Sequence, residues 1–432
     1  MSDPAMPAPA LAAGERARIL VYCGVIIFVL NTISPASGFQ VVPMAFILKN
    51  KLHLGASELA LFGAWASIPG LLSIAFGMVR DFWNPFRLGD RGYLMLFGGG
   101  SALTFAVFAF LPVSLPMLLA ATIITSFCFL FAWSAWNGLG SVIGQQFAMS
   151  GQISALWNVL GTITIFAVLF LGGILSEHLE TLSAADAVRI VFLIGAAIMA
   201  VIALTGVWRP DAVYTHLDKS REEKRDLIAD LKRLVAHRAI YPALGIWLIW
   251  NFSPGGATVL QYHLANTLHG TDSQYGAYAA VFSIAFVPTL LLFGYLSPRY
   301  PLSRLLWWSL PLAVPQMLPV LFAQTANQVV LAAIPMGLLG GMANGATLDL
   351  VIRSCPRGLE GTLMMLAWSL YTVASSLGNV FGTMVYDHYG FTACIVITTA
   401  VYALMLPLAA LVPKDLIATP DGAPVTAEGP LS

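Results

Sequence analysis

A short run of glycine and charged residues lies between the second and third apolar segments of the chain. It contains Gly77, Arg80 and Asp81, and after an interval Gly89 and Arg91. Glycine lets two helices approach closely, an acid at a helix end interacts with the helix dipole, and nearby arginines can pair with that acid. These residues predict an ion-paired gate that closes one side of a helical bundle. The alternative is an ordinary basic loop.

Two further stretches combine flat aromatic rings with amides at helical spacing. Trp133, Trp136 and Asn137 recur at steps of three and four residues, and Trp250 and Asn251 belong to a second such face. Tryptophan rings can stack on a planar solute while amides hydrogen-bond its edges. The alternative is that the tryptophans form interfacial belts and the asparagines bridge helices. The candidate solute-binding residues are Asn31, Gln40, Trp133, Trp136, Asn137, Trp250, Asn251, Gln261 and Asn344.

Few ionisable residues fall inside the apolar segments. Asp349 lies one turn before Arg353, and His263 lies in the seventh segment. A charge in hydrocarbon is costly and is retained mainly for function, so either residue is a candidate for carrying a coupled proton. We favour an interfacial ion pair with Arg353 for Asp349, and a position near the outer mouth for His263.

The sequence lacks the motifs of nucleotide-driven pumps and of common hydrolases. It contains no phosphate-binding GxxxxGK[ST] loop and no HExxH or GxSxG motif. Its four cysteines are scattered and form neither a CxxC pair nor a cluster with histidine. We therefore expect no enzymatic activity, no cofactor and no metal site.

The composition requires that most of the chain lie in a membrane. Hydrophobic residues make up 58% of the 432 residues and charged residues only 10%, against about 45–50% and about 25% in soluble domains. Twelve apolar segments are long enough to span a bilayer. They lie near residues 19–47, 57–79, 93–112, 116–143, 153–175, 188–208, 239–265, 275–297, 305–323, 328–351, 361–386 and 392–413.

These segments divide the chain into two halves of six predicted spans. Residues 18–208 form the first half and 239–413 the second, joined by a polar stretch at 209–238 that has a helical pattern of Leu and Ile. Residues 1–17 and 414–432 are expected to be flexible ends.

The positions of Lys and Arg predict the orientation. With the N-terminus inside, 18 of the 21 basic residues fall on the cytoplasmic side, as the positive-inside rule requires. We expect both termini in the cytoplasm of a multi-pass protein of the bacterial inner membrane. Lys plus Arg equals Asp plus Glu, so no nucleic-acid partner is indicated; the expected partners are a small-molecule solute, the lipid bilayer and protons, and the protein is expected to be a monomer.

The two halves resemble each other in sequence. Asn31 precedes a Ser-Pro pair in the first span, as Asn251 does in the seventh, and Phe76-Gly77 recurs as Phe293-Gly294 at an offset of 217 residues. Six-plus-six duplication around a mid-membrane cavity is typical of major facilitator transporters, and the Gly77-to-Asp81 motif resembles the signature of that family. In the second half Pro298 stands where the acid would be.

Three stretches resemble the folate–biopterin branch of this family. They are the loop from Gly77 to Leu94, the sequence Trp250-Asn-Phe-Ser-Pro254, and Cys355-Pro-Arg-Gly-Leu-Glu360-Gly-Thr362. The resemblance implies an all-α membrane protein with twelve spans, which moves a pteridine- or folate-like solute by alternating access. Because no inward Arg or Lys is found within the spans, a neutral or amphipathic solute fits the residues slightly better. A non-transporting sensor or assembly factor on the same fold is the alternative.

Overall fold

A computed structural model describes residues 13–35, 37–54, 56–214, 227–356 and 358–421. Helices and their connections make up this part of the chain, and it contains no strand. Most of the predicted central connection at 209–238 is described, as two short helices, but residues 215–226 lie outside the described ranges, as do most of the two predicted flexible ends.

The helices of the N-terminal half correspond in order to its six predicted spans. The first is α1 (Ala13–Ile33), which is followed by a break and then by α2 (Val41–Phe46) and a short π-helix (Ile47–Lys51). The second is divided into α3 (Ala56–Ala66), α4 (Ile68–Leu71) and α5 (Ser73–Phe82). The remaining spans are α6 (Asp90–Phe108), α7 (Leu115–Gln146), α8 (Ser150–Leu179) and α9 (Ala184–Val207).

Two short helices, α10 (Asp211–Tyr214) and α11 (Leu227–Ala236), lie between the halves in sequence. The C-terminal half consists of α12 (Ile240–Asn251), α13 (Ala257–Asn266), α14 (Asp272–Leu296), α15 (Leu302–Ala313), a 3-10 turn (Leu318–Phe322), α16 (Ala326–Ser354), α17 (Glu360–Ala403), α18 (Met405–Ala410) and α19 (Lys414–Ile417).

Nine helical segments of the described chain are long and apolar enough to cross a membrane. The predicted twelve differ from these nine at three places. The third predicted span, α6, is not among the nine, and the seventh is interrupted between α12 and α13. The eleventh and twelfth are joined as one segment, which bends at Gly390, where φ is +78°. Glycine is favoured there because this region of φ strains residues that have a Cβ.

The ends of the spans define two faces of the bundle. Lys51 donates hydrogen bonds to the carbonyls of Glu180 and Leu182, which places the ends of the first and fifth spans together at what we call the distal end. At the opposite end, Tyr22 of α1 forms a hydrogen bond with Tyr214, which follows the end of α9, and Asp421 of the tail accepts one from Ser150. Because both ends of the described chain lie there, we call it the terminal end.

Apolar packing joins the halves at the terminal end. The largest cluster of buried side chains consists mainly of N-terminal-half residues. It also contains Ile352, near the end of α16, and Leu363, near the start of α17. Two smaller clusters lie within the C-terminal half. The start of α17 is therefore packed as part of the opposite half.

A glycine row holds α16 against α14. A Cβ atom added at Gly337 would lie 2.7 Å from the carbonyl oxygen of Phe282, and one at Gly341 would lie 2.5 Å from that of Phe286. Both distances are too short for a real contact, so these glycines allow the two helices to approach closely.

Gly341→Ala should destabilise the protein by about 1–3 kcal/mol, because the added methyl group overpacks this contact. The measurement is the thermal midpoint of unfolding in detergent. Gly276→Ala on α14 is the matched control, since a Cβ there meets nothing within 4 Å. Equal midpoints for the two variants would contradict the packing role of the row.

Candidate functional site

At the terminal end, a carboxylate from one half caps a helix of the other half. Asp81, near the end of α5, accepts hydrogen bonds from the backbone amides of Gly361 (3.2 Å) and Thr362 (2.6 Å), and from the Thr362 hydroxyl (2.7 Å). These amides belong to the first turn of α17, where a helix has no internal acceptors for its N–H groups. A negative charge is also favourable at this end of the helix dipole. Asp81 therefore binds the two halves together.

Arg80 holds this carboxylate in position. Its Nη1 donates to Asp81 (2.7 Å), and its Nε and Nη2 donate to the two oxygens of Asp90 (2.7 and 2.8 Å). The side chains of Arg80 and Asp81 are fully buried. Gly138 on α7 leaves the space in which the guanidinium lies, since a Cβ there would overlap it. Buried ions require such complete pairing, because desolvation is costly.

Two glycines of the predicted gate have separate structural roles. Gly77 lies against α17, and a Cβ on it would be 2.5 Å from the carbonyl oxygen of Gly361. Gly89 has φ +59° and precedes the first residue of α6, and its amide donates to the Asn84 side chain at 2.6 Å. Gly77 thus permits the contact between the halves, and Gly89 permits the turn that places Asp90 beside Arg80.

The predicted pairing of Arg91 with the acid is corrected by the structure. Arg91 donates instead to the backbone carbonyls of Gly206 and Val207 at the end of α9, at 2.9 and 3.0 Å. The reason is its position in the first turn of α6, beside α9, where the last carbonyls of the helix attract a cation. The arginine that pairs with Asp81 within the described ranges is Arg80.

A second set of hydrogen bonds joins α7 to the end of α16. The side-chain amide of Gln145 donates to the backbone carbonyls of Ile352 and Cys355, both at 2.8 Å. Farther into the bundle, Ser154 donates to the Gly345 carbonyl at 2.6 Å.

The deepest of these bonds joins two asparagines. Asn344 on α16 donates to the side-chain oxygen of Asn158 on α8 at 2.8 Å, and it accepts from the Trp250 indole at 2.9 Å. Asn158 lies eight residues into α8, which corresponds to about 12 Å from the terminal end. Within the described ranges, the hydrogen bonds between the halves run from the terminal end to this asparagine pair.

Tryptophans from both halves meet near this level. The Trp133 ring lies 5.6 Å from that of Trp157 and 5.5 Å from that of Trp368, with edge-to-face geometry in both cases. Trp136 lies 5.4 Å from Trp157. The indole N–H groups of Trp133 and Trp136 are buried without a hydrogen-bond partner. Because Trp368 comes from the C-terminal half, this tryptophan cluster lies between the halves.

The remaining predicted binding residues lie apart from this cluster or bond within their own helices. Asn137 and Asn251 donate to the carbonyls of Trp133 and Trp247, four residues earlier in each helix. Asn31 likewise bonds Ile27 in α1. Gln40 packs against Gly195 of α9, inside the N-terminal half, and Gln261 is exposed on α13.

The two proton-coupling candidates are engaged in other contacts. Arg353 donates to the carboxylate of Asp349 at 2.9 Å, near the end of α16. His263 stacks on Phe391, with ring centroids 3.9 Å apart. Both contacts involve residues outside the tryptophan cluster.

Three residues of this region were not among the predicted ones. Trp157 and Asn158 lie on α8, the fifth span, whereas the repeat architecture predicts that the first, fourth, seventh and tenth spans line the cavity. The Trp-Asn dipeptide occurs four times in the sequence, at 83, 136, 157 and 250, and could have drawn attention to α8. Trp368, on the eleventh span, is followed by Ser369 and is not part of a Trp-Asn dipeptide, so this pattern does not point to it.

Charge is distributed unevenly along the bundle. In the spans that the structure describes, charged side chains lie within about two turns of a helix end or of the bend at Gly390. The middle of the bundle therefore offers aromatic rings, amides and hydroxyls to a solute.

Two helical halves that are joined at one end, and whose described middle carries no charged side chain, are typical of membrane transporters of the two-domain type. The chain belongs to the Major Facilitator Superfamily, whose sequence model matches residues 27–379 and 256–428. It is accordingly a multi-pass secondary transporter and not an enzyme. No curated protein matches the sequence significantly.

Solved transporters share the fold at low sequence identity. The human organic anion transporter MFSD10 is 17% identical, with a TM-score of 0.63 over 92% of this chain and 100% of that one. The fucose:proton symporter FucP of E. coli is 13% identical, with a TM-score of 0.68 over 92% and 98%. A bacterial homologue of the iron transporter ferroportin is 17% identical, with a TM-score of 0.65 over 90% and 98%.

Asp81→Asn should loosen the start of α17, because the amide side chain removes the negative charge to which three groups of α17 donate. Hydrogen bonds to charged groups contribute about 1.5–3 kcal/mol each, so we expect amide exchange in the peptide around Gly361 and Thr362 to accelerate by at least about tenfold. Hydrogen–deuterium exchange with mass spectrometry measures this rate.

Asp186→Asn is the control for this variant, because Asp186 lies exposed in the first turn of α9, at the distal end. If the amide exchange rate at the start of α17 is unchanged in Asp81→Asn, the claim that Asp81 holds the two halves together is wrong.

Proposed function

We propose that the transported solute is a flat, uncharged organic molecule that binds between the halves at the tryptophan cluster. The observation that carries this proposal is the meeting of Trp133, Trp157 and Trp368 across the two halves. Aromatic rings provide stacking surfaces for a planar solute. Asn158 and Asn344 lie near the same level and provide donors and acceptors for its polar edge.

The absence of charged side chains from the described middle of the bundle favours an uncharged solute over a charged one. A folate carries a dicarboxylate tail, which would require an inward Arg or Lys. An unconjugated pteridine has a planar ring with a polar edge and needs no such partner. We therefore propose membership of the folate–biopterin branch with a preference for pteridines over folates.

The proposed mechanism is alternating access. Residues 18–208 and 239–413 would rock about the tryptophan cluster, and the contacts of Asp81 with α17 would break when the terminal end opens. The 18-to-3 distribution of basic residues supports placing the terminal end in the cytoplasm. We further propose that the protein works as a monomer in the bacterial inner membrane.

An ion gradient, with protons as the proposed ion, would drive transport. His263 is the better candidate for carrying the proton, because the carboxylate of Asp349 is paired with Arg353. If His263→Ala leaves transport fully responsive to pH, this assignment fails.

A thermal-shift screen tests the solute class. Unconjugated pteridines should raise the melting temperature, because a ligand that binds only the folded state stabilises it by mass action. Folates should do so less. Trp368→Ala and Asn344→Ala should each abolish the shift, whereas Trp308→Ala, which removes an exposed indole of α15, should retain it.

A shift that persists in Trp368→Ala would contradict binding at the cluster. If no solute class shifts the protein, and if changes in the central connection rather than in the cluster impair function in cells, a sensor or assembly role on the transporter fold would replace the proposal.

A further inference from the structure

The sequence repeat leaves the second half without a gate acid. The residue that corresponds to Asp81 at the offset of 217 is Pro298, which has no carboxylate. The close helix contact of the gate is nevertheless repeated. Gly77 lies against α17, and its counterpart Gly294 at the end of α14 lies against α8, where an added Cβ would be 2.8 Å from that of Ala155. The end of α14 thus meets α8 as the end of α5 meets α17.

A carboxylate from the C-terminal tail occupies the corresponding place. Asp421 accepts a hydrogen bond from the backbone amide of Gln152 at 3.0 Å and one from the Ser150 hydroxyl at 3.3 Å. Gln152 is the third residue of α8, as Thr362 is the third residue of α17. Each carboxylate therefore binds the same position in the first turn of a helix of the opposite half.

The neighbours of the two carboxylates also correspond. Each helix has glycine as its second residue, Gly361 in α17 and Gly151 in α8. A Cβ on Gly361 would lie 2.7 Å from Asp81 Oδ1, and one on Gly151 would lie 3.0 Å from Asp421 Oδ2. Each carboxylate also pairs with an arginine, Asp81 with the buried Arg80 and Asp421 with the part-buried Arg353.

The tail is fixed to the bundle at several points before Asp421. Ile417 is buried in an apolar cluster of the C-terminal half. The Thr419 carbonyl accepts from Arg353 at 2.8 Å, and the Asp421 amide donates to the Ser297 carbonyl at 2.9 Å. Burial and the nearby carboxylate of Asp349 raise the pKa of Asp421 to about 7, against the effect of Arg353. These contacts hold the Asp421 carboxylate at the start of α8.

We propose that Asp421 is a positioning residue for transport and forms the second half of the terminal-end gate. It binds the tail and the end of α16 to the start of α8, so the terminal end opens only when both the Asp81 and the Asp421 contacts are released. Because the proposal concerns the gate alone, it does not depend on which solute is carried.

Cys355 provides a native reporter of this opening. Its side chain is buried at the end of α16, where its thiol donates to the Val351 carbonyl at 3.4 Å and its backbone carbonyl accepts from Gln145 on α7 of the other half at 2.8 Å. Burial raises the pKa of this thiol well above its ordinary value, so the closed state suppresses its reaction with maleimides. Cys23 is buried inside the N-terminal half, within α1, and serves as an internal control.

The experiment measures the rate of N-ethylmaleimide labelling at Cys355 and at Cys23 in the purified full chain, by peptide mass spectrometry. Asp421→Asn should raise the rate at Cys355 by at least about fivefold and leave that at Cys23 unchanged, as expected for a shift of population towards an open state. Asp421→Glu should restore the slow rate to within about twofold of the wild type. Asp415→Asn, which changes an exposed acid of the same tail, should match the wild type.

Two results would overturn the proposal. One is an unchanged Cys355 rate in Asp421→Asn. The other is a parallel rise at Cys23, which would show that the substitution loosens the fold and not the gate. Asp421→Ser is the second variant if the asparagine protein does not fold, and the same rates are expected of it.

Discussion

The closed terminal end depends on a carboxylate that one half places at the first turn of a helix in the other half. Asp81 provides the acceptor that the start of α17 lacks, and α17 in turn provides the donors that a buried carboxylate requires. Neither half satisfies these groups alone. Arg80 holds the carboxylate in place. Gly77 and Gly138 allow the surrounding helices to approach closely, because a side chain on either glycine would collide with a neighbour.

Such a contact can be strong in the closed state and still be broken during transport. When the halves separate at this end, water replaces the protein donors, so the net free energy of each hydrogen bond is far smaller than its energy in isolation. The tryptophan cluster and the Asn158–Asn344 pair lie farther in, at the depth where the hydrogen bonds between the halves end within the described ranges. A solute bound there touches both halves, so its binding can bias their relative arrangement.

The fold was predictable because span length and composition are local properties of the sequence. The gate motif was predictable in part: Gly77, Arg80 and Asp81 lie within one helix, but the partner Thr362 is 281 residues away and only the packed structure identifies it. Arg91 was misassigned because sequence proximity to an acid does not reveal a competing helix end. The tail carboxylate was missed because the repeat has a proline at the position that corresponds to Asp81, and Asp421 lies outside the repeated segment.

The most direct test of alternating access is a pair of distances measured by electron spin resonance in single-cysteine-pair variants. One pair joins exposed residues 87 and 304 at the terminal end, and the other joins exposed residues 180 and 324 at the distal end. In an Asp81→Asn background, the terminal distance should lengthen while the distal distance shortens, because the halves rock as rigid bodies. Two unchanged distances, or two that lengthen together, would contradict the account.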